Sequence, residues 1–165
     1  MSITDRHLSG RTYNFKNFYP LTMLSLNEMF KESMRKIMAE PSDVKIITRC
    51  ENLPYIRGNK NDVFVLFEEL IKLIVTDKTA PSTLFLYIDC EELKVDNKQQ
   101  HFSEGFNTYV IKFRTNISPT KNWEAEHETA LAKCREIVSA HNAIFLVNSS
   151  NQTGCIFSIT LPGKY

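Results

Sequence analysis

Apolar positions along the 165-residue chain switch between a period near 3.6 and a period of two, and the switches mark out its elements. Leu26, Met29, Phe30, Ser33, Met34, Ile37 and Met38 recur at the spacing of one helical face, and Ser25 with Glu28 makes a capping box ahead of them. This predicts a first helix, stopped by Pro41-Ser42. Val44 to Arg49 is rich in β-branched residues and predicts a strand. Asn61 is a suitable N-cap for a second helix, in which Val63, Leu66, Phe67, Leu70, Ile71 and Ile74 fall on one stripe. Phe64, Val65, Leu73 and Val75 widen that stripe, so this helix is expected to be buried.

Asp77 to Pro81 breaks the second helix, after which Thr83 to Cys90 and Tyr109 to Arg114 alternate as strands do. Between them, Glu91 to Gly105 is polar and reads as a hairpin excursion or loop. Asn122 can cap a third helix from Trp123 to about Ala140, with Leu131, Cys134, Ile137 and Val138 facing inward. Two strands follow, Ala143 to Val147 and Cys155 to Leu161, joined by a turn from Asn148 to Gly154. The order predicts an α/β (α+β) two-layer sandwich, a mixed β-sheet covered on one face by three helices. One domain over residues 1–165 is expected, with residues 1–14 as a flexible or accessory N-terminal segment.

Composition narrows the function. The chain is 42% hydrophobic and 24% charged, enough for one domain with a core. Twenty Lys and Arg against 19 Asp and Glu leave a net charge of +1, which supplies no basic field for nucleic acid or an anionic membrane. No apolar run reaches the roughly 18 residues that span a bilayer, and Met1 to Arg6 lacks the apolar stretch of a signal peptide. A cytoplasmic protein without membrane insertion is the expectation. Only five glycines occur, Gly10, Gly58, Gly105, Gly154 and Gly163, and the closest two are nine positions apart. No multi-glycine turn can therefore fold backbone amides around a phosphate. Cys50, Cys90, Cys134 and Cys155 show no metal-ligand spacing and sit in apolar segments, so each is expected to be a small buried hydrophobe.

The C-terminal residues carry a resemblance. Ile137-Val138-Ser139-Ala140-His141-Asn142-Ala143, then Phe145-Leu146-Val147-Asn148-Ser149, then Gly154-Cys155-Ile156-Phe157-Ser158-Ile159-Thr160-Leu161-Pro162, follow the patterns IVxAHGG, hxVxS and GTxFxhxLP without a gap. With Leu53 to Gly58 running directly into the second helix, the chain from about Phe15 to Gly163 resembles the ATP-binding domain of sensor histidine kinases, of the gyrase, chaperone and kinase ATPase superfamily. The resemblance implies the Bergerat fold.

It also implies where a nucleotide site would lie, and those positions are altered. In the family's N-box, NLLxNAxKF, a polar residue stands four positions before an Asn that holds magnesium. Here Glu69 matches the first, Leu73 the second, and Thr76 the phosphate-side Lys. A leucine offers no oxygen to a hard cation. The glycine box DxGxG, whose Asp accepts the adenine amino group, matches Thr115-Asn116-Ile117-Ser118-Pro119. The box GTGLGL, whose helix-start amides meet the phosphates, matches Glu126-His127-Glu128-Thr129-Ala130-Leu131. Two carboxylates in contact with a triphosphate would each repel it by roughly 1 to 4 kcal/mol. Only about ten residues, Asn116 to Ala125, remain where an active kinase carries a longer lid.

No cofactor and no metal ion are expected, with ATP and magnesium as the alternative. No catalytic residue is assigned; Glu69 is the one candidate base, against a solvated or paired carboxylate. His141 is expected to pack or cap, His101 and His127 to be surface residues, and Trp123 to pack on the core rather than cover the cleft. The resemblance implies a degenerate, non-catalytic binding or regulatory module in two-component signalling. Its partner would be a protein of such a pathway or a second copy. The alternative is a divergent ATP-dependent protein histidine kinase domain using Glu69, Lys72 or Lys78, with its phosphoacceptor on another chain.

Overall fold

The computed structural model describes residues 21–93 and 108–162. Their order is β1 (Thr22–Ser25), α1 (Leu26–Met38), β2 (Lys45–Cys50), β3 (Tyr55–Gly58), α2 (Lys60–Val75), β4 (Thr83–Leu93), β5 (Thr108–Thr115), α3 (Trp123–Glu126), α4 (Glu128–Ala140), β6 (Ile144–Ser150) and β7 (Gly154–Pro162). The expectations for residues 1–14, and for the excursion beyond Leu93, lie outside the described residues.

Five strands form a mixed sheet in the order β2-β4-β5-β7-β6, with β2 and β4 parallel and the other pairs antiparallel. Alternation fixes its two faces. Leu84, Leu86, Ile88, Ile111, Phe113, Phe157 and Ile159 are buried beneath the helices. Phe85, Ile144 and Leu146 point the other way and are exposed, so the layer is helical on one face only. Phe30 of α1, Phe67 of α2 and Phe113 of β5 meet with ring centroids 5.9 to 6.2 Å apart, joining both helices to the sheet at one point. The mixed sheet under a helical layer is the fold expected from the sequence.

The helix ends are set by local chemistry. Ser25 caps α1 by accepting from the Glu28 amide, as the capping box requires. At α2 the cap is Asn59, not Asn61: the Asn59 side chain accepts from the amides of Asn61 and Asp62 at 2.9 and 3.1 Å. Asn61 already lies inside the helix as one of the donors being capped. At its far end α4 closes in a Schellman motif, with Asn142 at φ 54°, the Asn142 amide bonded to the Ser139 carbonyl and the Ala143 amide to Val138. An asparagine thus takes the left-handed position at which the kinase pattern has glycine.

Three further expectations are corrected. The third helix is not continuous: it breaks at His127 into α3 and α4, and the Asn122 side chain makes no capping bond. Leu53 to Gly58 does not simply lead into α2, because Tyr55–Gly58 pairs antiparallel with Thr22–Ser25 as a separate two-stranded sheet. All four cysteines are free thiols, but only Cys134 and Cys155 are buried, and Cys50 is exposed on the edge strand β2. Burial pushes the Cys134 and Cys155 thiols up to about 12, which keeps them neutral and unreactive at ordinary pH.

Candidate functional site

The residues matching the family's boxes gather around the C-terminal end of α2, the end of β5 and the start of α4. At the end of α2, Leu73 is buried in the core, so its branched side chain fills space where the family presents an amide. Glu69, one turn earlier, accepts from Lys133 of α4 at 2.9 Å, an ion pair joining the two helices across the layer. Thr76 is turned back on its own helix, its hydroxyl donating to the Lys72 carbonyl at 2.7 Å.

At the end of β5, the first three of the five residues in place of the glycine box are structural. Thr115 donates to the Cys155 carbonyl at 3.0 Å from a buried position. Asn116 accepts from the Phe85 amide at 2.8 Å and donates to the Thr83 carbonyl at 3.1 Å, extending the ladder of β4 past its last strand pair. Ile117 is buried. The gapless alignment places Glu126 at the end of α3 and Glu128 and Ala130 in the first turn of α4. Glu128 pairs with Arg135 of its own helix at 3.0 Å, and Glu126 lies 3.4 Å from the Thr120 hydroxyl.

Beside them opens a cleft of about 570 Å³ lined by Thr76, Asp77, Lys78, Thr79, Thr120, Trp123, Glu126 and His127. Asp77 is central to it. Its carboxylate is almost fully buried and takes three donors, the amide and hydroxyl of Thr79 and the indole Nε1 of Trp123, and His127 Nε2 lies 3.3 Å from it. A polar group withdrawn from water needs such hydrogen-bond partners. Trp123 is buried, packs on Phe157 of β7 with centroids 5.8 Å apart and stacks on His127 at 4.5 Å. The expectation for Trp123 is thus met in part: it packs on the core, and the same indole forms a wall of the cleft.

His127 departs from its expectation as a surface residue. It is half-buried, with Nε2 3.3 Å from the Asp77 carboxylate and Nδ1 2.7 Å from the Trp123 carbonyl. Asp77, the centre of this cluster, was visible in the sequence only as a helix breaker. Its one outward signal was a carboxylate directly after a long apolar helix. His141 does cap, accepting from the Asn59 amide at Nε2 and bonding the Ile137 carbonyl at Nδ1. His101 lies outside the described residues. Among the described residues no group of acidic, His or Cys side chains is arranged to hold a metal ion, and no helix is long and apolar enough to cross a membrane.

No family model matches the chain, and no curated protein matches it. Solved structures do. The ATP-binding domain of PrrB from Mycobacterium tuberculosis is similar over 88% of this chain and 98% of its own, with a TM-score of 0.62 at 14% identity. The catalytic domain of the histidine kinase ThkA is similar over 87% and 96%, with a TM-score of 0.62 at 13% identity. The cytoplasmic segment of the histidine kinase QseC is similar over 91% and 83%, with a TM-score of 0.60 at 11% identity. The chain therefore has the fold of histidine-kinase ATP-binding domains, the fold its closing pattern resembles.

Proposed function

We propose that this chain is a degenerate histidine-kinase-like ATPase domain that acts as a non-catalytic binding or regulatory module in two-component-type signal transduction. The observation that carries the reading is the occupation of the nucleotide-site positions by structural residues. Leu73 sits in the core where the family's Asn presents an oxygen to magnesium, and a hard cation binds oxygen ligands. Thr115, Asn116 and Ile117 are committed to holding β4, β5 and β7 together. Glu126 and Glu128 bring negative charge to the α4 start, where a triphosphate would need free amides. Glu69, the candidate base, is paired with Lys133.

A domain of this shape without turnover acts through contacts. Its partners are a histidine kinase or response regulator of the pathway, or a second copy of the chain. Affinity capture with the intact protein, followed by mass spectrometry and reciprocal capture, is expected to return a two-component protein. Crosslinking of the purified chain tests the self-association arm. Recovery of no two-component protein together with a monomeric crosslinking pattern would contradict the module reading.

A further inference from the structure

The two edges of the five-stranded sheet differ in how they are protected. A strand edge presents unpaired N–H and C=O groups, and proteins blunt such edges with charged side chains, prolines or bulges. On the β2 edge Lys45 and Arg49 supply that charge, the Arg49 guanidinium lying 5.5 Å from the centroid of the Tyr87 ring. The β6 edge has none of these devices. Its residues, Ile144-Phe145-Leu146-Val147-Asn148-Ser149-Ser150, include neither a charge nor a proline. Its register with β7 runs unbroken from Ile144 opposite Thr160 to Ser150 opposite Gly154, which leaves no bulge. Among the described residues no hydrogen bond reaches the β6 backbone from outside the sheet. We propose that β6 pairs antiparallel with β6 of a second copy of this chain, joining the two sheets into one.

Charge and symmetry select a second copy as the occupant. Self-pairing of β6 sets no like charges against each other, whereas self-pairing of β2 would bring Lys45 and Arg49 of both copies together. The Glu124 carboxylate accepts from Ser149 at 3.3 Å, toward the end of β6 remote from Ile144. A strand paired antiparallel with its own copy makes a two-fold interface, which closes at two chains. The charged β2 edges then stand at both ends of the joined sheet and discourage further strands from adding. Side chains agree with an axis at Leu146. Ile144 and Leu146 are 59% and 62% exposed on the face away from the helices. About that axis Leu146 meets its own copy, and Ile144 lies diagonal to the copy's Leu146, within reach of it. Two apolar side chains from each copy, open to water in the single chain, thus gather across the junction. One strand edge covers less than the roughly 1,200 Å² of stable complexes, so the dimer is weak and concentration-dependent. The pairing gives the second-copy arm of the module reading its surface and rests on that reading for its role, but it uses none of the nucleotide-site residues.

Sedimentation velocity of the full-length protein is expected to show monomer at about 1 µM and mainly dimer at about 500 µM, as a small interface allows. Leu146→Lys puts a charge on the β6 edge and is expected to stay monomeric at the higher concentration. Ile47→Lys, on the opposite edge strand β2, is expected to dimerise as the parent does. Circular dichroism establishes that each variant is folded. A parent that stays monomeric throughout, a folded Leu146→Lys that still dimerises, or a folded Ile47→Lys that does not, overturns the proposal. Should a variant fail to fold, hydrogen exchange of the unaltered protein decides. The β6 amides that face away from β7 are expected to exchange several-fold more slowly at the higher concentration, and rates independent of concentration overturn the proposal. A monomeric chain that nevertheless captures a two-component protein removes the strand pairing and leaves the module reading in place.

Discussion

Replacing Trp123 with alanine is expected to lower the unfolding free energy by about 3 to 5 kcal/mol, the usual cost of truncating a large buried aromatic. Several contacts are lost together. The indole is buried, packs on Phe157, stacks on His127 and donates to Asp77. Removing it leaves a void beside the sheet and takes one donor from a buried carboxylate, a loss that adds to the packing term. With small domains stable by only about 5 to 15 kcal/mol, such a loss takes a substantial share of the total. Urea denaturation followed by far-ultraviolet circular dichroism measures this. A loss below about 1 kcal/mol would mean that Trp123 is a surface residue in solution and that the cleft wall is not as described.

Gly154→Ala is expected to cost on the order of 3 kcal/mol, from overpacking together with an unfavourable backbone conformation. Gly154 opens β7 at φ +74°, in the left-handed region, and a Cβ there would lie 2.1 Å from the Thr115 carbonyl oxygen and 3.2 Å from that of Ile117. Both obstacles are backbone, so no rotamer change relieves them. Relief requires β5 and β7 to separate where Thr115 bonds the Cys155 carbonyl. Thermal unfolding of the variant is expected to show a fall of several degrees or more in Tm. A melting curve unchanged from the parent would contradict the close approach of these two strands.

Long periodic segments made most of the fold legible. The stripe from Leu26 to Ile37 and the near-continuous apolar run from Val63 to Ile74 are long enough for their period to be read, and α1 and α2 are where that reading puts them. The strands β4, β5 and β7 alternate over eight or more residues and were equally visible. Short elements were not. Thr22–Ser25 and Tyr55–Gly58 are four residues each, too few to show alternation, and they pair only because the chain brings them together across α1. The break at His127 was hidden because Glu, Ala and Leu on either side favour helix, whereas the ring's contacts run to the Trp123 carbonyl and to Asp77, the latter 46 or more positions away.

The candidate site was half legible. The resemblance assigned residues to each box, and the structure sets Leu73 in the core, Thr115 and Asn116 at the end of β5, and Glu126 and Glu128 on either side of His127. What those residues do was not legible, since the partners of Glu69, Asn116 and Glu128 are set by tertiary contacts. The cluster of Asp77, Trp123 and His127 was the least visible part. Its members are 46 and 50 positions apart in pairs with Asp77, and each alone has an ordinary surface or core reading.

The central claim is that the kinase-like scaffold is retained while its nucleotide site is filled by structural side chains. Isothermal titration of the intact protein with Mg-ATP tests it most directly. The account predicts no saturable heat up to about 1 mM nucleotide, a limit corresponding to about 4.1 kcal/mol of binding free energy. A saturable isotherm with a Kd in the micromolar range that requires magnesium would contradict it, because Leu73 provides no oxygen for the ion.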